Sequence, residues 1–162
     1  VQSVKLFGAK SSERSSGVDV NESIENALAL LRHKLKALSV ETDLQPLPPV
    51  TANMGELVQI WTNILNNACE AVPAESGQLT IRSREADGQI VVSIRDNGPG
   101  IPGDLIDRIF QPNVTTKVSG LSFGLGLGLP TVRGIVTGYK GDVEVSSSPA
   151  GTEFTVILPS GG

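Results

Sequence analysis

Cysteine and histidine are almost absent from this sequence: its 162 residues include one of each, Cys69 and His33. A lone cysteine cannot close a disulfide within the chain, and one cysteine with one histidine cannot supply the four ligands of a structural zinc site. Both kinds of crosslink are therefore excluded. Aromatic residues are also scarce, at 4% of the chain, whereas glycine accounts for 18 residues. Most of the glycine lies in the second half, which predicts functional loops there.

An excess of positive charge and a long apolar run are lacking as well. The formal net charge is -4 and the pI is near 5.0, so nucleic acid is not expected as a partner. Runs such as "IVVSI" are far shorter than the roughly 20 apolar residues that cross a bilayer, and no signal peptide opens the chain. We therefore expect a soluble, cytoplasmic fragment without membrane contact, whether or not its parent protein is membrane-anchored.

Apolar residues at helical spacing predict two long helices in the first half of the chain. The first has apolar positions from Ile24 to Leu38 and Asn21 as its N-cap, and the second runs from Met54 to about Val72. A Ser-rich linker over 1–17 precedes them, and a rigid Pro-rich connection over 45–52 lies between them.

The remaining elements complete one domain with a single core. Strands are predicted at 18–20, 40–44, 78–85, 89–96, 142–148 and 152–159, a short helical turn within 103–110, and a third long helix over 129–139. Helices mixed with antiparallel strand pairs predict an α/β (α+β) two-layer sandwich. In it, about three helices cover one face of a mixed, largely antiparallel sheet.

Polar side chains recur along the second predicted helix. Gln59, Asn63, Asn66, Asn67 and Glu70 are three or four residues apart and share a face opposite the apolar stripe. A solvated face is one interpretation. Asparagine is, however, about half a kcal/mol worse than alanine in a helix, and amide oxygens held on a helix are good ligands for a hard cation such as Mg²⁺. The pattern therefore also fits a magnesium site.

Asp96 ends a predicted strand on the side of its apolar residues, so its carboxylate is expected to face the core. A buried carboxylate needs a donor, and the amine of a purine is one candidate. The other interpretation is an Asx turn with the residues that follow. Thr152 has the parity of the apolar residues of the last strand, and Gly98 and Gly100 would let the backbone approach a flat ring.

Three glycines, Gly124, Gly126 and Gly128, alternate with leucines in "FGLGLGLP". The run is neither a Walker A loop nor G-x-G-x-x-G, because no G-K-[ST] follows and the spacing differs. A flexible loop is one interpretation. The other is an anion site, in which free N–H groups at the start of the next helix, with Pro130 in its first turn, face a phosphate.

Four of these stretches resemble the boxes of one enzyme family. "NILNNACEA" is similar to its N box, "DNGPG" to its G1 box, "IFQPNVTTK" to its F box and "GLGLGLP" to its G2 box, and "GTEFTVILP" is similar to its closing strand. In this order they resemble the catalytic ATP-binding domain of sensor histidine kinases, of a nitrogen-sensing-like subtype, in the family that includes gyrase B and MutL. The resemblance implies the Bergerat ATP-binding fold over 18–160. "VQSVKLFGAK" is similar to the end of a dimerisation helix, so 1–17 is expected to be its tail and a linker.

The resemblance implies a site for ATP and Mg²⁺. Asn67 would ligate the metal with Asn63 in support, Asp96 would accept from the adenine amine, and Thr152 would back Asp96 through water. Residues at about 101–123 would form a lid, with Lys117 contacting phosphate. The implied nucleotide-binding residues are Asn67, Glu70, Asp96, Gly98, Gly100, Ile101, Lys117, Gly124, Gly126, Leu127, Gly128, Leu129 and Thr152.

Three features depart from the family pattern. ATP-hydrolysing relatives carry a glutamate where this chain has Asn63, which favours a kinase over an ATPase. Glu70 stands where many histidine kinases have a basic residue, and Asn113 and Val114 stand where the F box has two phenylalanines. The alternatives are an ATPase or serine kinase of the same fold and a nucleotide-free interaction module.

The implied activity is transfer of the γ-phosphate of ATP to a histidine. That histidine would lie in an upstream dimerisation domain of the same protein, dimeric in the full-length kinase, and a response-regulator receiver domain would be the second partner. His33 is followed by "KLKAL" rather than an H-E-x-x-x-P-like sequence, so it is expected to be a bystander.

Overall fold

The computed structural model describes residues 13–73, 75–106, 109–110 and 128–160. Its helices are α1 (Val20–Leu30), α2 (Arg32–Leu35), α3 (Met54–Ala71), α4 (Gly103–Ile106) and α5 (Gly128–Gly138). Its strands are β1 (Ser15–Val18), β2 (Ser39–Leu44), β3 (Val50–Ala52), β4 (Gln78–Ala86), β5 (Gln89–Asp96), β6 (Asp142–Ser148) and β7 (Gly151–Pro159). None of the described helices is long and apolar enough to cross a lipid bilayer.

Five strands form one mixed sheet in the order β2-β4-β5-β7-β6. The β2–β4 pair is parallel and the other three pairs are antiparallel. Helix α3 packs between α1 and α5, and α3 and α5 contact the sheet. Alternate residues of β4, β5 and β7 are buried beneath these helices, because successive side chains of a strand point to opposite faces. The two-layer α/β sandwich predicted from the sequence is confirmed.

Trp61 of α3 lies at the centre of the core and is fully buried. Its indole N–H donates to Ser23 Oγ of α1 at 2.7 Å, and that hydroxyl donates to the Val20 carbonyl. The buried polar atoms are therefore paired, so the helix contact is free of the desolvation cost of an unpaired donor.

The first helix differs from its prediction at both ends. Asp19 is the N-cap, because its side chain accepts from the Asn21 N–H. The Asn21 side chain bonds instead to the Gln45 carbonyl and the Ser83 hydroxyl. The helix is interrupted at Leu31, and only the short α2 follows.

Two segments predicted as linkers contain strands. Ser15–Val18, at the end of the predicted linker 1–17, pairs antiparallel with Val50–Ala52, inside the predicted Pro-rich connection. Val50 and Ala52 alternate inward and are buried, which explains why this segment is extended. The folded part of the domain therefore begins before residue 18.

Candidate functional site

Asp96, the last residue of β5, is buried with only 5% of its surface exposed. Both interpretations made from the sequence hold: its carboxylate faces the core side of the sheet, and its Oδ1 also closes an Asx turn. That oxygen accepts from the Gly98 N–H at 2.8 Å and from the Thr152 N–H at 3.3 Å. Because both donors reach Oδ1, the described residues leave Oδ2 available to a donor from outside the protein.

Burial raises the pKa of the Asp96 carboxyl above its ordinary value, and the N–H groups of Gly98 and Thr152 oppose this by stabilising the charged form. A ligand that donates to Oδ2 would favour the carboxylate in the same way. A donor ligand would therefore add to the stabilisation of the Asp96 carboxylate that the two N–H groups provide.

The two glycines after Asp96 are required by close backbone contacts. A Cβ on Gly98 would lie 2.8 Å from the Ala71 carbonyl oxygen and 3.1 Å from Asp96 Oδ1. Gly100 has a φ of +88°, and its Cβ would meet the Ser148 carbonyl oxygen at 2.2 Å, a distance that no side chain permits. These glycines hold the β5 loop against α3 on one side and β6 on the other.

Ser147 belongs to the same cluster and was missed by the sequence predictions. It lies opposite Thr152 in the β6–β7 pairing, and the two hydroxyls are 3.3 Å apart. Its Oγ also accepts from the Ile101 N–H at 2.6 Å. Ser147 of β6 thereby links Ile101, at the start of the predicted lid, to Thr152 of β7, which pairs with Asp96. The tight turn between β6 and β7 was the sequence signal that could have placed it.

Asn67 of α3 is buried, at 8% exposure, and its Nδ2 is the buried side-chain atom without a hydrogen-bond partner in the described part of the chain. A buried amide left without a partner costs about 1–3 kcal/mol. A half-turn about χ2 exchanges Nδ2 with Oδ1, and the same position can then present an oxygen to a cation. Asn67 is therefore a candidate ligand-binding residue.

The other polar residues of α3 diverge. The Asn63 Nδ2 donates to the Gly128 carbonyl at 3.3 Å, which ties α3 to the first residue of α5. The Asn66 Oδ1 accepts from Lys34 Nζ at 2.8 Å, on the flank towards α2. Glu70 is exposed. The shared polar face predicted for this helix is thus divided among separate contacts.

Asn67 and Asp96 line one cavity of about 10 Å³ between α3, the β5 loop and β7. Its other lining residues are Ala68, Ala71, Gly100, Ile101, Thr152 and Phe154. The cavity is lined by five of the ten predicted site residues that the structure describes.

Four of the predicted nucleotide contacts, Lys117, Gly124, Gly126 and Leu127, lie outside the described residues, as does most of the predicted lid. The F-box residue Phe110 is described: its ring meets that of Phe154 edge-on, with centroids 6.3 Å apart. On the α5 side, Gly128 and Leu129 form the first turn of the helix, and the Leu129 side chain is fully buried.

Gly128→Ala is expected to lower ATP affinity about 5- to 10-fold, because a Cβ there would lie 3.3 Å from Asn63 Cβ and Cγ and would displace that side chain. Stability should change little, since the gain in helix propensity offsets the tighter packing. Gly134→Ala in the same helix is the control, as its Cβ meets nothing within 4 Å. Calorimetric titration and thermal unfolding of both variants test this, and an equal loss of affinity in the control would contradict it.

Comparison with known proteins gives matches to one family model and to sensor proteins. Residues 53–162 match the family model of the histidine kinase-, DNA gyrase B- and HSP90-like ATPases. The chain is 37% identical over 160 residues to the C4-dicarboxylate transport sensor protein DctB of Rhizobium meliloti, covering 96% of this chain and 25% of that protein. It is 38% identical over 127 residues to the sensory histidine kinase/phosphatase NtrB of Azospirillum brasilense, covering 70% of this chain and 31% of the relative.

A solved structure of the histidine kinase ThkA in complex with the response regulator protein TrrA is similar in fold. The TM-score is 0.75 at 25% sequence identity, over 91% of this chain and 42% of that one. This chain thus spans about a quarter to a third of the length of the two curated relatives, and under half of the solved kinase.

Proposed function

Since the chain belongs to the histidine kinase-, DNA gyrase B- and HSP90-like ATPase family, an ATP-binding family, we propose that it is the catalytic domain of a two-component sensor histidine kinase. It would bind Mg-ATP and present the γ-phosphate to a histidine of an upstream dimerisation domain. The observation that carries the proposal is the meeting of a buried carboxylate, Asp96, and an orphaned buried amide, Asn67, at one cavity.

Asp96 would recognise adenine. Its Oδ2 is available as an acceptor, and the exocyclic amine of adenine is a donor of matching chemistry. Guanine carries a carbonyl oxygen at the corresponding ring position and would face the carboxylate with an acceptor. Gly98 and Gly100 would border the base, and Thr152, fixed by Ser147 and by its own N–H bond to Asp96, would support the carboxylate through water.

Asn67 would hold Mg²⁺ at the phosphate end of the site. Its buried amide fits because Mg²⁺ binds hard oxygen ligands and needs only one or two from the protein, the rest coming from phosphates and water. Bound there, the ion would neutralise charge on the phosphates of ATP. Asn63 is tied to Gly128 and would keep α3 and α5 at a fixed spacing around those phosphates.

The N-terminus of α5 would face the phosphates. The N–H groups of its first turn, at Gly128 and Leu129, have no partner within the helix, and the helix dipole favours an anion there. Leu127, Gly124, Gly126, Lys117 and Ile101 are proposed to contact the nucleotide from the lid, and Glu70 to lie near it at the exposed end of α3.

Transfer would need no base from this domain. A nitrogen of the acceptor histidine attacks the γ-phosphorus, the bond from that phosphorus to the bridging oxygen breaks, and ADP leaves with the electron pair. The imidazolium then loses its remaining proton to solvent. Catalysis would consist of placement and charge neutralisation. Asn63, which occupies the position of the water-activating glutamate in ATPases, cannot act as a base, so hydrolysis is disfavoured.

The proposed partners are the upstream histidine-containing domain, through which the full-length protein would dimerise, and a response regulator. The second is supported by the solved complex of the histidine kinase ThkA with the response regulator protein TrrA. The test of the proposed function is transfer of label from γ-labelled ATP to the upstream domain of the same protein, added as a separate polypeptide. Label on a histidine of that domain supports the proposal.

A further inference from the structure

A polar cluster lies at the end of α5 that is remote from Gly128. We call it the Tyr139 cluster; it consists of Glu13, Arg14, Asn53, Glu56, Gly138 and Tyr139. Tyr139 directly follows α5, and Asn53 is the N-cap of α3, with its Oδ1 accepting from the Glu56 N–H at 2.9 Å. The cluster therefore joins the end of one helix to the start of the next.

Tyr139 is the centre of the cluster. Its hydroxyl donates to Glu56 Oε1 at 2.5 Å and accepts from the Asn53 N–H at 2.8 Å. Burial and the bond to Glu56 raise the pKa of Tyr139 to about 12, so the hydroxyl keeps its proton at physiological pH. The ring is thus held in one orientation by two hydrogen bonds to α3.

The segment through which the chain enters the domain is fastened to this ring. The Arg14 guanidinium lies over the Tyr139 ring, with Cζ 3.9 Å from the centroid, and its Nη2 donates to the Gly138 carbonyl at 3.0 Å. The Asn53 Nδ2 donates to the Glu13 carbonyl at 2.6 Å. Immediately after these contacts the chain forms β1 and pairs with β3.

We propose that Arg14 and Tyr139 fix the direction in which the chain enters the domain, and thereby position bound ATP relative to the upstream phosphoacceptor domain. This inference rests on the proposed function. The same two helices are joined by Asn63 and Gly128 at the nucleotide end and by the Tyr139 cluster at the entering segment. A rigid connection through α3 and α5 therefore runs from the entering segment to the candidate site.

Arg14 suits a positioning role because its contacts are exposed. A cation–π contact at an exposed site contributes little to the stability of a fold. Losing it should leave the domain folded and able to bind ATP, yet free the segment that precedes β1. A residue whose loss only destabilised the fold would reduce ATP binding as well.

The test compares Arg14→Ala with Arg84→Ala, a control that removes an exposed arginine from β4. Tyr139→Phe is the second variant: it keeps the ring under Arg14 and removes the bonds to Glu56 and Asn53. Each is examined in the full-length protein, with both domains on one polypeptide, and in the present chain mixed with a separate upstream domain. The readouts are ATP affinity, the rate of histidine phosphorylation, and hydrogen exchange of the Ser15–Val18 amides.

Arg14→Ala and Tyr139→Phe are expected to slow phosphorylation at least about five-fold on one polypeptide, and to change it less than about two-fold with separate domains, where no connection needs positioning. ATP affinity should stay within about two-fold, and the Ser15–Val18 amides should exchange several-fold faster than in Arg84→Ala. Equal slowing in both arrangements would overturn the proposal. If the wild type phosphorylates no histidine, the proposed function fails. Hydrogen exchange tests the contact between Arg14 and Tyr139 separately: if the Ser15–Val18 amides exchange no faster in Arg14→Ala than in Arg84→Ala, this contact does not hold the entering segment and the proposal is overturned.

Discussion

Asp96→Asn is expected to lower the affinity for ATP by about 10- to 100-fold, the range for losing a hydrogen bond to a charged group. Asparagine can still accept from the Gly98 and Thr152 N–H groups through Oδ1. It places an NH₂ group where Oδ2 stood, however, and this donor faces the donor amine of adenine. The loss of ATP affinity is therefore expected to come from poorer recognition of adenine, because the turn after β5 keeps its hydrogen bonds.

Two controls separate recognition from folding. Asp142→Asn removes an exposed carboxylate from β6 and should leave ATP affinity unchanged. GTP should bind the wild type far more weakly than ATP, and Asp96→Asn should reduce that preference, because an NH₂ group can donate to the guanine carbonyl. Calorimetric titrations with both nucleotides measure this. Equal affinity of the wild type for ATP and GTP would refute the role of Asp96.

The raised pKa of Asp96 makes both the stability of the domain and its affinity for ATP depend on pH. Because burial favours the protonated form in the folded state, the contribution of Asp96 to stability is greatest at low pH and declines as the pH rises through its raised folded pKa. Nucleotide binding has the opposite dependence, since only the carboxylate accepts from the amine. ATP affinity should fall on acidification at a higher pH than for an ordinary aspartate, and Asp96→Asn should lack this change.

Asn67→Ala is expected to abolish most of the Mg²⁺ dependence of ATP binding, lowering the affinity for Mg-ATP about 10- to 100-fold. The free energy of unfolding should not fall, and a rise of about 0.5–2 kcal/mol is expected. The substitution removes an orphaned buried amide and introduces the best helix former into α3. A residue that weakens the fold and strengthens ligand binding has the signature of a functional position.

Asn66→Ala is the matched control. It lies one residue earlier in α3, offers the same gain in helix propensity, and loses only the exposed bond from Lys34. Titration with ATP in the presence and absence of Mg²⁺, together with thermal unfolding, distinguishes the two variants. If Asn67→Ala bound Mg-ATP as tightly as Asn66→Ala does, Asn67 would not be a metal ligand.

Periodicity was enough to predict the strands of the five-stranded sheet and the helices α3 and α5. The β4–β5 hairpin and α3 were found because their apolar residues recur at the spacings typical of strands and of helices: every second residue in the hairpin, and every third or fourth residue in α3. Strand β3 was missed, and β1 was predicted at 18–20 instead of Ser15–Val18, because three or four residues are too few for a period to be seen. Their pairing joins Ser15 to Ala52, and such a contact depends on tertiary structure rather than local propensity.

The candidate site was predictable in part for the same reason. The parity of Asp96 and Thr152 fixed the face of the sheet on which they lie, and they are paired across β5 and β7. Ser147 was not predicted, because its position depends on the register of the β6–β7 hairpin. The Tyr139 cluster lay beyond any local pattern, since Arg14, Asn53 and Tyr139 are brought together only by packing of the helices.

Phosphotransfer tests the central claim most directly. This chain is mixed with the separately produced upstream domain and γ-labelled ATP with Mg²⁺, and the labelled residue is identified. We predict label on a histidine of the upstream domain, none on the present chain when it is incubated alone, and none on His33. Absence of label on the upstream domain while the chain binds Mg-ATP, or label on His33, would contradict the assignment of this chain as the catalytic domain of a histidine kinase.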